Sequence, residues 1–302
     1  EMNQQARFPN YPNNTSSVGP PSPQEYASFL RPLMDAMTKA NGGNPLLFFV
    51  VEGGEEWDGA WAKAVGPDVY ATSFHHGYAP DPPSIADYTT TVKIPTTSFI
   101  PSAGALQEHL ATLGVEHVRI SADEWGLGPP WTVQHFGVSH ALYAASMLAG
   151  TLGTPGMVSF TNYFEPVNEG ALTVHKRNTS FTPVGVVLQV YSVHSGACLV
   201  PLAQPFDADV LAVATVDTDQ ALVVTLANRN ATASHALVLT ISGGQCTGSV
   251  VEVVSYIPDV VGPTGVFQRH DSTLHMSAQT VATDVEPFTV QQLRIPCDRE
   301  IG

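Results

Sequence analysis

Near residue 185 this sequence changes texture, and that change constrains the fold more than any other feature. Before it, apolar β-type runs alternate with helical patterns. After it, short Val-rich runs follow one another with no helical pattern between them. Strand–helix alternation calls for a parallel sheet with helices on its faces, because parallel neighbours need a long crossover connection. Closely spaced strands punctuated by Gly, Asp and Asn predict an antiparallel β-sandwich. The expected class is therefore α/β followed by all-β, with domains at residues 1–184 and 185–302.

In the first part, PLLFFVVEGG (45–54) is a continuous apolar run, the pattern of a strand covered on both faces. DVYATSFHHGY (68–78), HVRISADEWG (117–126) and GMVSFTNYFEP (156–166) read as further strands, with their polar residues gathered at the C-terminal ends. Helices are predicted over 23–40, where Tyr26, Phe29, Leu30, Leu33 and Met37 share helical spacing and Pro32 should kink the axis, and around 57–65, 102–114 and 134–150. The Pro/Thr-rich stretch up to about residue 101 reads as an excursion. In the second part VVLQVYSVH, DVLAVATVD, ALVVTLANRN, HALVLTIS, SVVEVVSYI and FTVQQLRIP read as strands.

The balance of 12 Lys and Arg against 27 Asp and Glu, a net charge of −15, repels phosphate backbones and argues against a nucleic-acid partner. No apolar run approaches the roughly 18 residues of a membrane span. Cys198, Cys246 and Cys297 form an odd set without zinc spacing, so one structural disulfide and one further thiol are expected. Sequons at Asn14, Asn178 and Asn230 fit glycan acceptors in a secreted, extracellular protein.

Chemistry concentrates at strand ends. Asp123 and Glu124 close an apolar run, where (β/α)8 enzymes place catalytic carboxylates. Strict alternation puts Glu124 on the face of Ile120 and Ala122, and Asp123 with Arg119 on the other. His75 and His76 lack a third ligand at suitable spacing, so no metal and no cofactor is expected.

The stretch SFHHGY (73–78) resembles the Ser-x-His-aromatic motif after the sixth barrel strand of glycoside hydrolase family 51, the α-L-arabinofuranosidases. ADEWG (122–126) resembles that family's Asp-Glu-Trp-Asn motif after the seventh strand, with Gly126 in place of the Asn. The stretch from Ala141 to Gly196, ending LQVYSVHSG, resembles its route from the last barrel helix into the sandwich, and FTVQQLRIP (288–296) resembles its closing strand. The resemblance implies the second half of a (β/α)8 barrel, strands five to eight, followed by an antiparallel β-sandwich. An upstream chain or precursor segment would complete the barrel.

It further implies a retaining hydrolase of α-L-arabinofuranosyl or related units, with Glu124 as nucleophile. Glu1 stands where the family's acid/base Glu would fall. His75, Tyr78, Trp125, Trp131 and Asn162 would contact or wall the sugar. The alternative is a catalytically inactive carbohydrate-binding or structural homologue, which the change at Gly126 favours.

Overall fold

The computed structural model describes residues 22–44, 46–50, 55–75, 77–79, 85–127, 137–164, 166–167, 170–203, 208–242, 246, 248–262 and 264–297. They divide into two compact units that interleave along the chain. The first takes the described residues up to Gly77, then Ser98–Trp125 and Thr154–Asn162; the second takes Tyr78–Thr97, Gly126–Gly153 and the described residues from Tyr163 onward.

In the first unit, helix α1 (Pro23–Ala40) starts from a capping box. Ser22 Oγ accepts from the Glu25 amide at 3.2 Å, and the Glu25 carboxylate accepts from the Ser22 amide at 2.8 Å. Pro32 lies inside the helix, which continues through it. The expected apolar face is only partly covered. Tyr26 and Met34 are buried, whereas Phe29, Leu33 and Met37 are 64%, 47% and 55% exposed. Tyr26 stacks on the fully buried Trp61 of α2 (Glu55–Val65), ring centroids 4.4 Å apart, which docks the two helices.

Strand β1 (Phe48–Val50) pairs in parallel with β2 (Val69–Ser73), and β2 in parallel with β4 (Arg119–Leu127). β4 is also flanked by the short β3 (Gly77–Ala79) and by β5 (Val158–Tyr163). The crossover into β4 ends in α4 (Ile100–Thr112), whose Ala103, Leu106 and Leu110 are buried. On the sheet itself Phe49, Tyr70 and Phe160 form an aromatic cluster with centroids 5.7–6.1 Å apart. Arg119 lies over the Tyr70 ring at 5.4 Å and reaches Ser159 Oγ at 3.3 Å. The expected excursion before residue 101 is more ordered than its Pro/Thr content suggests. It holds helix α3 (Ile85–Thr91) and a π-helical turn at Pro95–Phe99, pinned by the buried Tyr88, Val92 and Phe99.

The second unit contains helix α5 (Val138–Gly153), the exposed hairpin β6 (Leu172–His175) and β7 (Asn178–Phe181), and helix α6 (Pro183–Ser192). α6 corrects the expected strand VVLQVYSVH. Thr182 caps the helix by accepting the Gly185 amide at 3.3 Å, Pro183 occupies its first turn, and Val184, Val187, Val190 and Tyr191 are buried. Burial of this apolar helix overrides the β preference of its valines.

The antiparallel strands follow as β8 (Cys198–Leu199), β9 (Val210–Val216), β10 (Ala221–Asn228), β11 (His235–Thr240), β12 (Val250–Pro258), β13 (Phe267–His275), β14 (Thr280–Val285) and β15 (Val290–Pro296). Six of them form one sheet in the order β13-β12-β15-β10-β9-β8, and β11 pairs with β14 separately. The two sheets share a core: Leu222, Val224, Leu226, Val253, Leu293 and Ile295 of the large sheet meet Val281 and Val285 of the small one. β10 is buried at every position because its other face is also covered. On that face Gln292, opposite Thr225 in the ladder, donates to the Val190 carbonyl of α6 at 3.0 Å. Cys246 and Cys297 form the disulfide, and Cys198 is an exposed free thiol. Among the described residues no helix is long and apolar enough to cross a membrane.

Candidate active site

The register of β2 against β4 builds the site. Ser73, the last residue of β2, lies opposite Ser121, and the ladder extends one step further as the Phe74 amide donates to the Ser121 carbonyl at 2.8 Å. Two residues on along each parallel strand come His75 and Asp123, so they fall level and on one face. Phe74, on the other face, is fully buried against Phe99, centroids 5.4 Å apart, and anchors the strand end.

Four polar side chains meet there. Ser73 Oγ donates a short hydrogen bond to Asp123 Oδ2 and lies 3.2 Å from His75 Nε2. His75 Nε2 is also 3.4 Å from Asp123 Oδ1. The opposite ring nitrogen, Nδ1, is 3.6 Å from Glu124 Oε2. One imidazole therefore reaches both carboxylates, although alternation along β4 places Asp123 and Glu124 on opposite faces.

Burial pushes the Asp123 carboxyl upward, but hydrogen bonds with His75 and Ser73 and the charge of His75 outweigh it. The group titrates below the usual aspartate range and is ionised at neutral pH. The carboxylate side chains of Asp123 and Glu124 remain 34% and 32% exposed and that of His75 only 14%. The arrangement is an ionisable cluster with an accessible carboxylate edge, suited to attack on, or proton exchange with, a bound molecule.

The other expected site residues divide. Trp125 is 1% exposed, so its ring faces pack within the protein and are not offered to a sugar; it supports the strand instead. Asn162 is exposed near the end of β5. Tyr78 is placed only by its backbone, in β3. Glu1, Trp131 and the sequon residue Asn14 lie outside the described residues. Of the other sequons, Asn178 is exposed at the start of β7, while the amide of Asn230 donates to Asp209 Oδ2 at 3.1 Å. Among the described residues no three His, Cys, Asp or Glu side chains converge as metal ligands. Ser73 is the member without an expected role, although its two-residue spacing from His75 on a strand puts both on one face.

No protein-family profile and no curated protein matches the chain. Solved structures do match its fold. The GH51 α-L-arabinofuranosidase from Thermotoga petrophila RKU-1 aligns with a TM-score of 0.73 at 15% identity, over 92% of this chain and 63% of that one. A family 51 α-L-arabinofuranosidase from Bifidobacterium longum gives 0.71 at 14% identity, over 92% and 64%. CelM2, a bifunctional glucanase-xylanase from a metagenome library, gives 0.66 at 14%, over 98% and 64%. The chain thus spans less than two thirds of the length of these proteins. At such identities the likeness establishes the fold: the chain has the glycoside-hydrolase fold of the family 51 α-L-arabinofuranosidases.

Proposed function

We propose that the chain is the part of a retaining glycosidase that carries the nucleophile, acting on α-L-arabinofuranosyl or related units. The observation that carries the reading is the cluster of His75, Asp123 and Glu124 at the ends of parallel strands, in a fold shared with family 51 enzymes. Glu124 attacks the anomeric carbon, and the sugar's leaving oxygen departs with a proton from a second carboxyl group. Glu1 is our candidate for that group. In a retaining pair the two carboxyls stand about 5–5.5 Å apart.

In this reading β1, β2, β4 and β5 are the last four strands of a (β/α)8 barrel, and the antiparallel layers are its sandwich. An upstream polypeptide, in the same chain or another, supplies the remaining strands. The half-covered apolar arc of α1 and the position of β1 at the end of its sheet support this. The disulfide Cys246–Cys297 supports an extracellular setting, since such bonds persist in oxidising compartments.

The test compares wild type with E124Q on an aryl α-L-arabinofuranoside, and E124A with added azide. E124Q should lose about 10³-fold or more in kcat, and azide should restore turnover to E124A as a glycosyl azide. Equal turnover by wild type and E124Q overturns the assignment. Gly126, where the family has Asn, favours the alternative of an inactive carbohydrate-binding homologue. That protein would bind sugar without turnover in any variant.

A further inference from the structure

The large sheet of the second unit has one face on the shared core and one turned away from it. Val251 and Val253 of β12 are buried in that core, so alternation turns Tyr256 and Pro258 outward. In the ladder Tyr256 lies opposite Arg269 and Pro258 opposite Phe267, which places Phe267, Arg269 and Asp271 of β13 on the same outward face. The Tyr256 and Phe267 rings meet edge to face, centroids 6.3 Å apart, and both are half-buried. Beside them Arg269 Nε donates to Asp271 Oδ1 at 2.9 Å, the two side chains being 60% and 65% exposed. The loop between the strands adds Val260 and Val266, 54% and 50% exposed. Asp259 clasps that loop: its Oδ1 accepts the amides of both valines at 2.7 and 2.8 Å, and its own amide donates to the Val266 carbonyl at 3.0 Å. Exposed apolar side chains held in a fixed place, next to a polar pair, make a pre-organised contact surface.

We propose that this outward face of β12 and β13 is a binding platform for an uncharged oligosaccharide segment, with Tyr256 and Phe267 as its apolar floor and Arg269 with Asp271 as its hydrogen-bonding edge. Size argues against a folded protein as the occupant. The five residues from Phe267 to Asp271 run about 13 Å, and two strands make a strip on the order of 150 Å². Even with the loop added, that is well under the roughly 800 Å² per side of a stable protein interface. Charge argues for a neutral ligand. The chain carries −15, and the cation of the strip, Arg269, is closed on the carboxylate of Asp271, so neither an anion nor a cation finds a free counter-charge there. Hydrogen-bonding capacity remains. With Nε committed to Asp271, the outer nitrogens of Arg269 still donate, and Asp271 Oδ2 still accepts. A donor and an acceptor side by side, next to aromatic surface, match a molecule that carries both hydroxyl groups and C–H faces, as a sugar ring does.

The platform shares no residue with the His75 cluster and does not depend on turnover. The experiment is affinity electrophoresis of the full chain in native gels containing soluble arabinoxylan, arabinan or mixed-linkage glucan, with polygalacturonate as the charged control. At least one neutral polymer should retard wild type. Y256A and R269A should each weaken that binding about tenfold or more, the loss of one good contact. R269K keeps the charge but not the planar fork of donors, so it should bind as weakly as R269A. As a surface change it also keeps the answer readable where Y256A unfolds. No retardation of wild type by any neutral polymer overturns the proposal, as does retardation that the variants leave unchanged or that polygalacturonate alone produces. A self-associating wild type dispersed by Y256A would make the face a contact between copies and overturn it too. Retardation as expected in a chain without turnover leaves the platform standing and counts against the glycosidase reading alone.

Discussion

His194 and Thr225 are joined deep in the second unit, Nε2 to Oγ1 at 2.8 Å, while Nδ1 meets Thr215 Oγ1 at 2.7 Å and the residue is only 2% exposed. Both threonines lie on the face of β9 and β10 that carries no part of the shared core, since Thr215 pairs with Val223 and Thr225 lies two residues beyond it. Burial lowers the imidazole to about 4. An unfolded histidine takes up its proton near pH 6.5, so between the two values the unfolded state binds a proton that the native state refuses. Stability is full above the unfolded value and is lost as pH falls toward 4.

Over that window His194 should remove about 3 kcal/mol of stability. Urea denaturation of wild type and H194Q at pH 7 and pH 4.5 measures it, because glutamine keeps polar atoms but cannot titrate. Wild type should lose the larger part of its stability on acidification, and H194Q distinctly less. Carboxylates held low, such as Asp123, Asp209 and Asp217, lose their contribution only at lower pH and remain in both proteins. Parallel losses in the two proteins would exclude His194 as the source.

The disulfide joins Cys246 to Cys297, 51 residues apart and just beyond the end of β15. Gln279 brackets Cys246 from both sides, accepting its amide at 3.0 Å and donating to its carbonyl at 2.7 Å. Closing a loop of this length restricts the unfolded chain by about 4 kcal/mol. The double variant C246A/C297A should lose roughly that much in chemical denaturation, and dithiothreitol should reproduce the loss in wild type. C198S should be nearly neutral, because Cys198 is exposed and unpaired. A double variant as stable as wild type would show that the crosslink adds nothing.

Glycan occupancy should separate two sequons that look alike in the sequence. Asn178 stands exposed on a hairpin. Asn230 uses its whole side chain: the amide donates to Asp209, and its carbonyl oxygen accepts from the amides of Thr232 and Ala233 at 2.9 and 3.0 Å. A sugar on that nitrogen takes one of its two hydrogens and crowds Asp209, which also binds Lys93 at 2.7 Å. In a secretory host, peptide mass mapping should find Asn178 modified and Asn230 bare. A glycan on Asn230 would contradict this.

What could be read from the residues depended on how far periodicity alone decides structure. The parallel strands and their order were legible because apolar runs ending in polar residues have few alternatives in an alternating chain. α6 was not, since a helix buried over most of its surface lacks a polar face and its valines suggest a strand. β13 was missed for the opposite reason: it is exposed at nearly every position and shows no alternation. At the site, the Asp123-Glu124 pair and His75 stood out as chemistry at strand ends. The role of Ser73 needed the register of β2 on β4, which no local pattern encodes.

The apolar arc of α1 gives the last prediction. At 3.6 residues per turn, Tyr26, Ala27, Leu30 and Met34 fall in one sector of about 100°, which also takes in Met37 near its edge, and Leu33 and Phe29 extend it by a further sector of roughly 60°. The first sector is covered at Tyr26, Ala27 and Met34, where α2 packs through Tyr26 and Trp61, but not at Met37 in the last turn, and the second is open. W61A removes a fully buried ring and should cost about 3–5 kcal/mol, and M34A about 2–5 kcal/mol. L33K, on the open sector, should change stability by no more than about 0.5 kcal/mol in the isolated chain. It should also reduce self-association seen by analytical ultracentrifugation, because exposed apolar surface drives aggregation. If an upstream polypeptide completes the barrel, L33K should weaken its hold on this chain while M34A acts mainly on the chain itself. An L33K protein as unstable as M34A would mean that the arc is already covered from within, and the argument for an upstream partner would lose its support in α1.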